Sequence, residues 1–319
     1  MLKKTLYFGN PFYLSKKNEQ LVITDPVAQG LDRLSKLSTI PIEDIGLVVL
    51  DNPQITISQG LMQSLIENNV ALITCNARHH PVGLFLPLDS NDIQSQRFRY
   101  QIEATEPLKK QLWQQTIQAK IKNQALLLQQ LGKQPQALLG MVPKVRSGDP
   151  DNYEAQAAVR YWGQLFDESL HFRRDPEGQY PNNLLNYGYA ILRATVARAI
   201  VGAGLLPTLG IHHSNKYNAY CLADDMMEPY RPFVDSVVVK MVAQNQGEIL
   251  DKHSKAELLM VPNIDVAIRG ERSPLMVAVQ RCAVSLVKAF AGENRKLLCP
   301  EWYNKSKTDL DQQKLDFEE

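Results

Sequence analysis

The chain has 319 residues, with 35 Lys and Arg against 34 Asp and Glu, a formal net charge of +1, and 44% hydrophobic and 22% charged residues. This balance excludes collagen-like, low-complexity and wholly disordered classes, and the length suits about two domains with cores of their own. Bulk positive charge is absent, so any contact with nucleic acid must come from local patches.

Four cysteines (Cys75, Cys221, Cys282, Cys299) lie far apart without a CxxC pair, which argues against a disulfide scaffold or a Cys-zinc site. No apolar run approaches the ~18 residues needed to span a bilayer, and the start MLKKTLYFGNPF lacks the apolar h-region of a signal peptide. The expectation is a cytoplasmic protein with no membrane contact.

The first ninety residues read as short β segments at 5–8, 20–24, 46–50, 70–74 and 82–86, separated by Pro, Asn and Gly signals. One helix interrupts them: Leu61, Leu65 and Ile66 follow helical spacing after a capping Ser58, and Asn68-Asn69 is a stop signal. From about Asp92 the β signals fade into stretches rich in Gln, Ala, Leu, Lys and Arg, which favour helix. Helices are predicted near 93–103, 107–132, 151–169, 181–203, 218–228, 230–245 and 273–291. The fold class is therefore α+β: a small β-rich N-terminal domain (1–91), a larger all-α domain (92–304), and a polar tail (305–319) expected to be disordered.

Residues 93–146 carry nine basic side chains (Arg97, Arg99, Lys109, Lys110, Lys120, Lys122, Lys133, Lys144, Arg146) against only Glu103 and Glu106. With Arg173 and Arg174, the residues Arg97, Arg99, Lys109, Lys110, Lys144 and Arg146 are candidate contacts to DNA phosphates, which position a duplex without reading its sequence. Taken singly, each also suits a solvated surface.

Polar residues concentrate in three places. In Gly148-Asp149-Pro-Asp-Asn152-x-Glu154, Asp149 and Pro150 suit an N-cap and first helical position, and Asp151-x-x-Glu154 also reads as a capping box. In Asn182-x-Leu184-Leu-Asn186-Tyr187-Gly188-Tyr189, two Asn and two Tyr crowd the start of a helix that ought to be buried, and buried polar groups need partners. In the third, Gly210-Ile-His212-His213 precedes Asp225-Met-Met-Glu228-Pro-Tyr-Arg231-Pro-Phe-Val-Asp235. Asp225 and Glu228, three apart, would share one helix face, and Arg231 and Asp235 would pair at i, i+4. A His with two or three carboxylates and no Cys favours Mg²⁺ or Mn²⁺ over a structural zinc. Beside a basic segment, such an ion suits phosphodiester chemistry.

In series, with 59 residues from Glu154 to His213 and 15 from His213 to Glu228, these motifs resemble CRISPR-associated protein one, the adaptation integrase family. Ile40-Pro-Ile-Glu-Asp-Ile45-Gly, Asn69-Val-Ala-Leu-Ile-Thr-Cys75 and Pro81-Val-Gly-Leu are similar to its β-domain signatures. The resemblance covers most of 1–245, and its wording is most like the type II branch.

It implies a homodimer joined partly through the β-domain. Two such dimers would flank a dimer of CRISPR-associated protein two and carry a double-stranded prespacer. The implied reaction is metal-dependent transesterification, in which a prespacer 3′-hydroxyl attacks a phosphodiester at the end of a CRISPR repeat. Water as nucleophile would give endonuclease activity. An accessory type II adaptation protein and the effector nuclease are admitted as further partners. The catalytic residues and metal ligands fall on Glu154, His213 and Glu228, with Asp225 as a further carboxylate near the ion. The Gly-x-x-His spacing selects His213 over His212. The third ligand, often Asp elsewhere, is Glu here and reaches further. Asn152, Asn186, Tyr187, Tyr189 and Arg231 are expected to support or pack around the ligands. The rivals are a general metal-dependent nuclease without an integrase role and a catalytically silent scaffold for DNA or a partner.

Overall fold

The computed structural model describes residues 3–26, 38–77, 79, 81–89 and 91–303. The tail predicted at 305–319 lies outside the described residues. The N-terminal region contains β1 (Lys4–Phe8), β2 (Tyr13–Lys17), β3 (Gln20–Thr24), β4 (Ser38–Pro41), β5 (Ile45–Leu50), β6 (Thr56–Ile57), α1 (Gln59–Glu67), β7 (Ala71–Cys75) and β8 (Pro81–Phe85). All five predicted strands occur, each within a residue of its expected bounds. β2 was not anticipated. It pairs antiparallel with β3 across Asn18 and Glu19, both at positive φ (50° and 56°), a two-residue turn whose sequence lacks the usual Gly.

Two sheets form, in the orders β1-β5-β7-β8 and β4-β3-β2-β6. In the first, β1, β5 and β7 run parallel and β8 antiparallel. α1 is capped by Ser58, whose hydroxyl accepts from the Leu61 N–H at 3.3 Å, and Asn69 beyond its end is left-handed at φ 53°.

The β5-β7 sheet is buried on both faces. Val48, Val70 and Leu72 join Leu14, Leu21, Leu61 and Leu65 in the N-terminal core. Leu47, Val49, Ala71 and Ile73, on the alternate positions, belong to the larger core built by the helices. Each such side chain contributes roughly 1.5–3 kcal/mol on burial, and double-sided burial is why β5 reads as a nearly continuous apolar run.

The second region contains α2 (Gln94–Ile102), α3 (Glu106–Gln130), α4 (Gln136–Leu139), α5 (Tyr153–Leu165), α6 (Asn182–Gly202), α7 (Cys221–Met227), α8 (Arg231–Ala243), α9 (Lys252–Leu259) and α10 (Leu275–Phe290). It is not all-α. A sheet in the order β10-β9-β11 joins β9 (Asp265–Ile268), β10 (Glu271–Pro274) and β11 (Glu301–Trp302). Its hairpin turns at Arg269 and Gly270, at φ 55° and 81°, and Asp265-Val-Ala-Ile is too short to stand out beside the helical patterns. α6 is the central element, buried around most of its circumference, as expected of a helix apolar on nearly every side. At Gly188 a Cβ would lie 2.5 Å from Val234 Cγ1 of α8, so glycine permits the close crossing.

Polar groups tie the two regions together. Asp51, at the end of β5, accepts from the Tyr7 hydroxyl (2.6 Å) and from Lys255 Nζ of α9 (2.8 Å), and His79 Nδ1 lies 2.8 Å from its other oxygen. Burial would raise the Asp51 pKa, but hydrogen bonds from Lys255, Tyr7 and His79 hold it below the ordinary carboxylate value. Arg198 of α6 donates to the Asn69 carbonyl at 2.5 Å. Asp51→Ala leaves the Lys255 ammonium buried and unpaired. The expected loss is about 3–5 kcal/mol of stability by chemical denaturation, while Lys255→Met combined with Asp51→Leu should recover much of it.

Candidate functional site

Glu154 stands in the first turn of α5, whose start is shaped by a loop with Gly148, Asp149 and Asn152 at positive φ (78°, 49° and 55°). Asp149 caps the helix from four residues upstream. Its two oxygens accept from the Tyr153 and Glu154 N–H groups at 2.9 Å each, and the Asn152 side chain accepts from the Ala155 N–H at 3.3 Å. The helix therefore begins at Tyr153, not at Pro150. The capping box does not form, because Asp151 pairs with Arg146 (2.9 Å) and the Glu154 carboxylate turns inward.

It turns toward Lys120. The Lys120 ammonium, on a buried face of α3, lies 2.7 Å from Glu154 Oε1 and 2.6 Å from Glu228 Oε2. Glu228 opens a 3₁₀ turn (Glu228–Tyr230) between α7 and α8, and its other oxygen accepts from Arg231 Nε at 2.8 Å. Oε2 is fully buried and faces the Lys120 ammonium at that 2.6 Å. Burial alone would push the Glu228 pKa up; the charges of Arg231 and Lys120 overcome it and bring it down to about 2. Burial likewise lowers the Lys120 pKa, and Glu228 and Glu154 more than reverse it. Glu228 is therefore held ionised and Lys120 charged.

Asp225 and Glu228 stand three apart in backbone that stays helical through Met227 and Glu228, and their carboxylates take different partners. Asp225 is fully buried and holds the loop before α7: its Oδ2 accepts from the N–H groups of Ile211 (2.7 Å) and His212 (2.9 Å). Its Oδ1 lies 2.5 Å from His213 Nδ1. The carboxylate thus fixes the ring so that Nε2 faces away from it. Gly210 makes this possible, since a Cβ there would sit 2.3 Å from the His213 carbonyl oxygen and 2.7 Å from Asp225 Oδ2. The hydrogen bond that His213 makes to Asp225 is the chief cause of a raised His213 pKa, opposed by burial and reinforced by the charges of Asp225, Glu228 and Glu154. His213 is thus within electrostatic reach of both glutamates. His212 stacks on Trp113 of α3, with centroids 4.1 Å apart and planes 2° from parallel, and Trp113 meets His213 edge-on. Among the described residues, no three His, Cys, Asp or Glu side chains are placed to hold a metal as they stand; the two glutamates are drawn onto Lys120 instead.

The remaining motif residues form a support. Asp235 accepts from the Tyr161 hydroxyl (2.7 Å) and the Tyr189 hydroxyl (2.5 Å). Burial pushes it up to about 6 against those hydrogen bonds. Arg231 does not pair with Asp235; it turns to Glu228 and lies 4.6 Å over the Tyr189 ring. Arg174 is half-buried and donates to Asn182 (3.0 Å) and Asn186 (2.7 Å). The Tyr187 hydroxyl is buried without a partner.

Of the other basic candidates, Arg97 is held by the Ala203 carbonyl (2.7 Å) and Arg146 by Asp151. Arg99, Lys110, Lys144 and Arg173 are exposed. Lys109 lines a cavity of about 440 Å³ at His213, together with Gln101, Ser214, Asn215 and Lys216. Sequence reading counted Lys120 only as part of a basic patch. The available signal was its place on the stripe Trp113, Thr116, Ile117, Ile121 and Gln124, all buried, where a lysine needs a counter-charge.

With this geometry in place, comparison with known proteins is direct. The profile of the family CRISPR associated protein Cas1 matches residues 6–260. The CRISPR-associated endonuclease Cas1 of Neisseria meningitidis serogroup C (strain 8013) is 33% identical over 301 residues, covering 93% of this chain and 95% of that protein. A structure described as a casposase bound to integration product superposes with a TM-score of 0.76 at 19% identity, over 100% of this chain and 99% of that one. A chain of a Cas6-RT-Cas1–Cas2 complex does so at 0.66 and 18% identity, over 95% of this chain and 36% of that one. The chain belongs to the Cas1 family, whose curated relatives are CRISPR-associated endonucleases. No helix among the described residues is long and apolar enough to cross a membrane.

Two outcomes follow from the Asp225–His213 pair. By NMR, His213 titrates above 6.5, and Asp225→Asn lowers that midpoint. Because its folded pKa is raised, the stability His213 contributes is full below its unfolded value and is lost as pH rises through the folded one. Gly210→Ala displaces the loop, and its signature is loss of the raised His213 midpoint in a protein that still folds.

Proposed function

We propose that this protein is a CRISPR adaptation integrase and DNA endonuclease, most like the type II branch, with its reaction centre at Glu154, His213 and Glu228. The observation that carries this reading is the convergence of two carboxylates from separate elements on one cation, at 2.7 and 2.6 Å, beside an oriented imidazole. Two carboxylates and a neutral imidazole nitrogen fit Mg²⁺ or Mn²⁺, and Glu228 Oε2 is buried facing a cation. Glu154, Glu228 and His213 Nε2 would hold the ion. When bound, it would polarise a phosphoryl oxygen and lower the pKa of a hydroxyl or water nucleophile.

The chain's own residues supply the rest. Asp225 keeps the His213 Nδ1 side occupied, so Nε2 faces the reaction. Arg231 fixes the Glu228 carboxylate from behind. Lys109 and Lys216 line the cavity next to His213 and would receive the phosphates of a prespacer end. The attacking group is a prespacer 3′-hydroxyl, the bond broken is a repeat phosphodiester, and water in place of the hydroxyl gives cleavage. The partners are a second copy of this chain through the N-terminal region, a Cas2 dimer, the prespacer duplex and the CRISPR repeat. A type II accessory adaptation protein and the effector nuclease would join them. The fold likeness to a Cas1–Cas2 complex and to an integration-product complex supports this reading.

The test joins a labelled duplex with free 3′-hydroxyls to a supercoiled plasmid bearing a repeat, with Mn²⁺ or EDTA, with and without Cas2. Joining is expected with Mn²⁺ and is lost with a blocked 3′ end. Glu154→Ala or His213→Ala should reduce it at least about a hundredfold while the protein stays folded. Nicking without joining, with Cas2 bound, would replace the integrase by a plain nuclease, and full joining by either variant would overturn the site.

A further inference from the structure

Lys120 holds the place that a divalent ion between the two glutamates would take. Its side chain is 11% exposed, against 6% for Glu228 and 26% for Glu154, and its ammonium is the group on which both carboxylates close. With Arg231 on the far oxygen of Glu228, two cations balance two carboxylates and the cluster is neutral as it stands. A divalent ion entering beside Lys120 would set four positive charges against two negative ones in a largely buried cluster. The two cations already present differ in freedom. Arg231 is locked by a planar hydrogen bond to Glu228 and by the Tyr189 ring at 4.6 Å. Lys120 is a point charge on a flexible four-carbon stem, and its contacts to the two carboxylates, at 2.7 and 2.6 Å, involve no planar fork and no ring. Lys120 is the cation that can leave.

We propose that Lys120 is a positioning residue that acts as a resident counter-ion: it keeps Glu154 and Glu228 together before metal arrives and is displaced by the metal, so loading is cation exchange. This rests on the metal site proposed above. Without the ammonium the two carboxylates would repel, and one would swing away or take up a proton. With it, the site stays assembled but metal affinity is reduced, because the ammonium-held state must first be undone.

The test reads Mn²⁺ binding by calorimetry and melting in EDTA for the full chain, comparing wild type with Lys120→Met, Lys120→Arg and Glu154→Gln. Lys120→Met is expected to bind Mn²⁺ about tenfold tighter than wild type, to melt lower in EDTA, and to regain the difference in Mn²⁺. Lys120→Arg, which keeps the charge on a stiffer fork, should bind Mn²⁺ no tighter than wild type. Unchanged or weaker binding by Lys120→Met, while Glu154→Gln abolishes binding, overturns the exchange and leaves the metal site standing. Binding equal in wild type and Glu154→Gln puts the ion elsewhere and removes both readings. If Lys120→Met does not fold, wild-type crystals grown in EDTA and in Mn²⁺ decide. The Lys120 contacts to both glutamates should break on loading, and their persistence beside a bound ion overturns the proposal.

Discussion

Two carboxylates cannot be kept side by side in a protein interior without positive charge between them. At a separation of about 4 Å their repulsion is roughly 4 kcal/mol even at an effective dielectric near 20, comparable to the whole effect of a severe core mutation. The placement of α3 follows from that constraint. It brings Lys120 to Glu154 and Glu228 and, seven residues earlier on the same side, brings Trp113 to the two histidines. One helix thus registers both halves of the site, and the site's precision depends on how rigidly α3 packs against α5 and the α7–α8 junction.

Support spreads outward from the glutamates through groups that hold one another. Glu228 is fixed by Arg231, Arg231 lies over Tyr189, and Tyr189 shares Asp235 with Tyr161. The Asn182 and Asn186 side chains are occupied by Arg174 and by the backbone around residues 173–176. The polar residues that crowd the start of α6 are therefore a buried network with most of its members satisfied, as the cost of burying polar groups requires.

Sequence reading reached the strands of the parallel sheet because double-sided burial leaves a dense apolar run, and the long helices because their periodicity is sustained. It missed β2 because pairing across Asn18-Glu19 depends on left-handed backbone that this dipeptide does not announce, and β4 and β6 because strands of four and two residues show no periodicity. The small sheet of β9, β10 and β11 was missed because two- to four-residue strands have no periodicity to detect. At the site, the residue types of Glu154, His213 and Glu228 were legible from their motifs. The division of labour between Asp225 and Glu228 was not: it is set by the loop at 210–213 that Asp225 holds and by the Lys120 and Arg231 cations that Glu228 meets, and residue spacing records neither. Lys120 was hidden for another reason, since its partners lie 34 and 108 positions away and nothing local marks a lysine as internal.

The sheet that carries β5 and β7 bears on how this chain can be dissected. Its two faces serve two different cores, so the apparent boundary near residue 91 divides the sequence and not the hydrophobic interior. A fragment beginning at α2 would lose Leu47, Val49, Ala71 and Ile73 from beneath its helices, and the complementary fragment would present those same side chains to water as a sticky face. Neither piece could be soluble and native on its own terms. The labour of the two halves has to be separated by substitutions in the intact chain, because a truncation would report on lost burial before it reported on lost chemistry.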